Sequence, residues 1–200
     1  MSSADLPLVA IYADESCLGN GKEGDNPGGA GALLEYRRKS GALERRDVWV
    51  SESATTNNRM ALRSVIETFG LLSKPSRVVF TSDSRYLIDG LTSWVFGWEQ
   101  REWTRKGGPI ENLELWFEAM ESVVEGEHQV AWKWVRGHNG HPQNEYANHL
   151  ATRAAGEQSA SEGIVPSGFD AWLATQRRLR PLAEFPDVTA FVASRELPRR

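Results

Sequence analysis

The sequence predicts an α/β fold, a mixed sheet flanked by helices, and three observations lead there. Apolar runs rich in β-branched and aromatic residues recur at strand length around residues 8–13, 30–36, 43–51, 77–82 and 128–135, bounded mostly by Gly, Pro, Asn or Asp. The second and third are joined by residues 37–41, a basic turn of hairpin length, so the first three strands form an antiparallel meander. The fourth follows a helical segment, and strand, helix and strand in that order make a crossover with parallel neighbours.

Bulk properties set the frame for these elements. A chain of 200 residues with ordinary apolar and charged fractions can bury one good core, which suggests one domain and an appendage. The single cysteine, Cys17, excludes an internal disulfide and a thiolate metal cluster. No apolar run approaches the roughly 18 residues that cross a bilayer, and residues 1–7 lack the features of a signal peptide, so no membrane partner and a cytoplasmic location are expected. A net charge of −4 argues against blanket affinity for nucleic acid but leaves a local basic patch open.

Taken in order, residues 8–13 are an apolar strand ending in Asp14 and Glu15, and residues 19–29 are a Gly-, Asn- and Pro-rich loop without the Lys-Ser/Thr ending of a phosphate-binding loop. Thr55 to Asn58 supply N-cap oxygens for a helix in which Leu62, Val65, Ile66 and Phe69 follow at helical spacing, and Pro75 blocks its extension. Residues 77–84 repeat the first design: an apolar run, then Asp83 and Ser84. A helix resumes over 84–91. Residues 94–109 interleave Trp94, Trp98 and Trp103 with Arg101, Arg105 and Lys106, a pattern that suits base stacking with phosphate pairing and equally suits packing. The spacing predicts a helix over 109–124 with Pro109 near its first turn, a strand over 128–135, and a helix opening at Pro142. Residues 157–168 read as a linker and 169–179 as a short helix. The Pro- and Arg-containing remainder reads as a solvated, partly disordered tail, with Arg177, Arg178, Arg180, Arg199 and Arg200 as alternative nucleic-acid contacts.

Asp14 and Asp83, each at the tip of a strand, either cap turns or together hold a divalent cation. The loop at 136–142 carries His138 and His141. Two histidines without a third ligand are a weak zinc signal, and His138 is better read as a mobile proton carrier.

Five blocks of the sequence together resemble the bacterial type 1 ribonuclease H family: Tyr-Ala-Asp14-Glu-Ser-Cys-Leu-Gly-Asn20, Thr-Thr56-Asn-Asn58-Arg-Met60, Thr-Ser-Asp83-Ser-Arg-Tyr86, the Trp94/Trp98/Trp103 segment, and Trp-Val-Arg-Gly-His138-Asn-Gly-His141-Pro. The resemblance runs from about residue 9 to 155. It implies a five-stranded mixed sheet, three strands antiparallel and two parallel, flanked by helices, over a domain of 1–156, with 157–200 as an extension. It also implies a monomer that binds an RNA/DNA hybrid and hydrolyses its RNA strand with Mg²⁺, or Mn²⁺, held by four carboxylates. Asp14 and Asp83 match two of the four, and His138 matches the histidine that assists proton transfer or product release. Asn20, Thr56, Asn57, Asn58, Arg85, Trp94 and Trp98 match positions that meet the hybrid.

Two positions depart from the family pattern: Ala61 and Asn148 stand where the family has Glu and Asp. Two of four formal charges are gone, which implies weakened metal affinity, although Asn148 retains a carbonyl oxygen as a ligand. Glu15, beside Asp14, and Glu145, one turn before Asn148, are the acids placed to compensate. The resemblance therefore implies a metal-dependent hybrid nuclease or, alternatively, a catalytically impaired hybrid-binding module or interaction platform on the same fold.

Overall fold

A computed structural model describes residues 6–19, 26–38, 40–137, 139–179, 182–184, 188 and 190–199. Asn20, His138, Arg180 and Arg200 lie outside the described residues. The strands are β1 (Leu8–Cys17), β2 (Gly28–Arg37), β3 (Leu43–Glu52), β4 (Arg77–Ser82), β5 (Gln129–Trp134) and β6 (Val165–Pro166). The helices are α1 (Asn57–Gly70), α2 (Arg85–Asp89), α3 (Val95–Glu99), α4 (Leu113–Glu125), α5 (Pro142–Glu157) and α6 (Phe169–Leu179), with a π-turn at Gly90–Trp94 joining α2 to α3.

The strands form one sheet in the order β5-β4-β1-β2-β3-β6. β1, β2 and β3 are the antiparallel meander, while β4 pairs parallel to β1 and β5 parallel to β4. The sheet thus has six strands where five were expected. The sixth is a two-residue strand from the segment read as linker, pairing Val165 with Asp47 and Pro166 with Arg46 on the free edge of β3. Two residues carry no alternation, so no period of two marks them in the sequence.

Strand alternation divides the core. Val9, Ile11 and Ala13 of β1 face one layer with Leu62, Val65 and Phe69 of α1 and Trp116 and Met120 of α4. Ala10 and Tyr12 face the other with Tyr146 and Leu150 of α5 and Phe169 of α6. α5 lies close against the meander because β2 is glycine there: a Cβ on Gly31 would stand 2.6 Å from the Ala147 carbonyl oxygen. Gly31 pairs with Asp14, so this close approach brings α5 over the acidic tip of β1.

Local chemistry sets the helix ends. Thr56 caps α1, its side chain accepting from Arg59 N at 3.3 Å, and His141 caps α5 with Pro142 in the first turn. α4 begins at Leu113 rather than near Pro109, because Asn112 adopts a left-handed conformation (φ 57°) that interrupts the helix before it.

Residues 169–179 form the expected short helix, α6, whereas the described residues beyond it depart from the expected solvated tail. Phe169 is buried in the second core layer and Leu197 in the first. Ser194 donates its backbone N–H to Val130 O at 2.8 Å and accepts Trp132 N at its Oγ at 3.1 Å, so this segment runs along the outer edge of β5. Arg195 stacks over Phe96 and Arg77 over Phe191. Apolar Phe169, Phe191 and Leu197, spaced without helical or strand period, supply the burial that composition alone did not reveal.

Candidate metal centre and nucleic-acid interface

The site grows from the tip of β1. Alternation turns Asp14 towards α5 and Glu15 towards the α1 side, as it turns Tyr12 and Ala13. Asp14 is 7 % exposed, and its Oδ2 accepts Asn144 Nδ2 of α5 at 3.3 Å while its Oδ1 accepts the Glu15 backbone N–H at 2.7 Å. Glu15 is half-buried and its carboxylate meets the Ser84 side chain. Asp83 follows the last residue of β4, the strand next to β1. One carboxylate oxygen from each of Asp14, Glu15 and Asp83 lies within 4.8 Å of the other two.

Three carboxylates this close cannot all be charged cheaply without a counter-ion. Burial, then repulsion from Asp83 and Glu15, pushes the Asp14 carboxyl up to about 9. Burial, then Asp83, pushes Glu15 up to about 8. The donor set is hard oxygen only, which matches Mg²⁺ or Mn²⁺ and not a soft metal. The residues present therefore fit a divalent cation.

The remaining expected positions separate. Ala61 is fully buried in the α1 layer and offers no ligand. Asn148 sits half-buried on α5, one turn beyond Asn144. Glu145, on the same helix, lies outside the group of three, and its Oε1 accepts Gly140 N at 3.3 Å. Asn144 was missed in the sequence, although its spacing of four from Asn148 puts both on one stripe of α5.

Gly137, in the loop after β5, leaves no room for a side chain, because a Cβ there would overlap the Asp83 Oδ2. Trp134 closes this side, donating its indole N–H to Asp83 O at 3.0 Å, and the Arg85 guanidinium stacks over its ring at 3.6 Å from the centroid.

Away from the acids, Thr56, Asn57 and Asn58 line a concavity of about 370 Å³ with Glu111 and Asn112. Glu111 also lines a second one, about 300 Å³, with Tyr86, Trp94, Trp98 and Arg105. Trp94 is exposed and packs edge-on to Tyr86, whereas Trp98 is largely buried against Trp116. The two tryptophans therefore divide the alternatives left open by the sequence: Trp98 packs, and Trp94 presents a face to solvent.

Three comparisons with known proteins bear on this arrangement. A family model described as RNase H matches residues 7–156. The ribonuclease H of Methylococcus capsulatus is 41 % identical over 159 residues, covering 79 % of this chain and 96 % of that protein. The crystal structure of LC9-RNase H1, a type 1 RNase H with the type 2 active-site motif, is 60 % identical with a TM-score of 0.86, covering 96 % of this chain and 94 % of the other. A foamy viral protease-reverse transcriptase in complex with RNA/DNA hybrid shares the fold alone, at 13 % identity and a TM-score of 0.58, over 78 % of this chain and 21 % of that one.

Proposed function

The chain belongs to the RNase H family, and we propose that it is a divalent-metal-dependent endonuclease hydrolysing the RNA strand of RNA/DNA hybrids, with Glu15 supplying the carboxylate that Ala61 lacks. The observation that carries this reading is the convergence of Asp14, Glu15 and Asp83 oxygens within 4.8 Å. Glu15 reaches the cluster from the α1 side of β1, the side on which Ala61 lies, so the ligand has moved from helix to strand while the face it serves is kept. A relative 60 % identical to this chain is a type 1 RNase H with the type 2 active-site motif, and such a relocation is in keeping with that.

In this reading Asp14, Glu15 and Asp83 hold the cation, and Asn148 offers a neutral oxygen from α5. A divalent ion held there supplies Lewis-acid stabilisation of the charge that develops on the phosphodiester. The chain's own residues do the rest. Asn144 fixes the Asp14 carboxylate, Ser84 fixes that of Glu15, and the Gly137 backbone backs Asp83. His138 moves the proton. Asn20, Thr56, Asn57, Asn58, Arg85 and Trp94 grip the hybrid, whose 2′-hydroxyls and phosphates match amide, hydroxyl and guanidinium donors. Trp98 supports Trp94 from below, their centroids 6.1 Å apart. The non-cleaving alternative has no observation of its own in its favour.

The test is cleavage of an RNA-labelled hybrid in Mg²⁺ and, separately, Mn²⁺, by the native chain and by Asp83→Asn. RNA-strand cleavage that needs the cation and drops at least 100-fold in the variant is the expected result. Tight hybrid binding without cleavage in either metal would overturn it.

A further inference from the structure

The family match ends at residue 156, yet described residues between 165 and 199 are fastened to the two elements that bracket the loop between Gly137 and α5. The first attachment is at α5. Asp47 of β3, 4 % exposed, accepts both Tyr146 OH of α5 at 2.6 Å and Gly168 N at 3.0 Å on a single oxygen. Around it the Tyr146, Phe169 and Trp172 rings pack at centroid distances of 5.2–6.1 Å. The second is at β5, where Ser194 makes the two edge bonds described above and Leu197 enters the core. Between these two points the chain touches the loop itself: Ala183 donates its backbone N–H to Gly140 O at 3.1 Å. Gly140 is thereby held on both sides, since its own N–H goes to Glu145 Oε1. Gly140 also has φ +78°, a left-handed conformation that needs no side chain but gains from being pinned.

We infer that the C-terminal segment is a positioning element of the active site: through the Ala183 to Gly140 bond, anchored at α5 and β5, it sets the loop that begins against Asp83 and ends at the His141 cap. The inference rests on the proposed nuclease reading for its kinetic consequence alone. A segment that merely protects a sheet edge needs neither contact with this loop nor a backbone donor aimed at it. Loss of the bond frees the Gly140 carbonyl and lets the loop sample other conformations, so the chemical step suffers while substrate and metal, held by Asp14, Glu15, Asp83 and the groove, still bind.

Ala183→Pro removes the donor, Ala183→Ser keeps it, and deletion of residues 180–200 removes donor and β5 attachment together. With hybrid substrate in Mn²⁺, Ala183→Pro and the deletion are expected to lower kcat 5- to 20-fold with KM within twofold of native, and Ala183→Ser to match the native chain. Amide exchange read in parallel on residues 136–141 is expected to quicken at least tenfold in Ala183→Pro at temperatures well below its melting point. Unchanged kcat and unchanged loop exchange in a folded Ala183→Pro overturn the inference. A native chain that fails to cleave hybrid overturns the nuclease reading instead, and the exchange measurement then decides the positioning claim alone.

Discussion

Replacing Asp14 by Asn should stabilise the protein when no metal is present. The Asn side chain keeps an oxygen for the Glu15 N–H (2.7 Å in the native chain) and a group to meet Asn144, but carries no charge. The Asp14 carboxyl stands at about 9 against 3.8 for the free group, so between those values the folded state binds more protons than the unfolded. Stability therefore falls as pH rises from the carboxylate range towards 9. Each unit is worth about 1.4 kcal/mol. From 3.8 to pH 8 the full effect would be about 6 kcal/mol; because Asp14, Glu15 and Asp83 titrate together, about half of it, roughly 3 kcal/mol, is assigned to Asp14. For a chain of this size that is a rise in Tm of roughly 6–12 °C. Calorimetry in chelator from pH 5 to 9 should show the native chain losing stability with pH more steeply than Asp14→Asn, which keeps only the part due to Glu15. Saturating Mn²⁺ should then raise the native Tm and leave the variant unmoved. A variant less stable than the native chain in chelator at pH 8, or a native chain indifferent to pH over this range, would refute the reasoning.

Other perturbations follow from the same geometry. Gly137→Ala puts a Cβ into the Asp83 carboxylate and should cut hybrid cleavage at least tenfold while Tm shifts by a few degrees at most, as paired kinetics and calorimetry would show. Tyr146→Phe takes a 2.6 Å donor from buried Asp47, whose other oxygen has no hydrogen-bond partner among the described residues, and should cost about 1–3 kcal/mol in urea unfolding. Burial holds His141 down at about 4, so the unfolded state takes up a proton first and stability falls as pH drops from 6.5 towards 4. His141→Asn, which supplies a capping oxygen in place of the imidazole Nδ1, should flatten that acid limb in a pH series of denaturant melts.

The reach of the sequence is clearest at β1 and β4. Both strands announce themselves by uninterrupted apolar runs, and their acidic tips stand out because the design occurs twice, although turn capping explains each tip taken alone. The meander of the first three strands followed from one short hairpin and the parallel direction of the fourth from the crossover connection, whereas the placing of β4 beside β1 rather than β3 did not. What stayed hidden was local or distant. Glu15 alternates away from Asp14, so strand period left open whether it reached a cation or pointed away; the Ser84 contact and the grouping of its oxygen with those of Asp14 and Asp83 show that it reaches the cluster. Trp94 and Trp98 look equivalent at a spacing of four, but Trp98 is buried against Trp116 while Trp94 is exposed, a difference set by which residues of α4 lie beneath them. The packing of residues 165–199 rests on contacts with Asp47, Gly140 and Val130, all more than 40 residues away along the chain, and no local pattern encodes such partners.

The central claim is that Glu15 has taken over the place of a helix-borne carboxylate, and cleavage of an RNA-labelled hybrid in Mn²⁺ by the native chain, Glu15→Gln and Glu15→Gln/Ala61→Glu tests it most directly. The account predicts that Glu15→Gln loses at least 100-fold in kcat while still binding hybrid, and that Glu at 61 restores part of the loss. Glu15→Gln cleaving as fast as the native chain would contradict it.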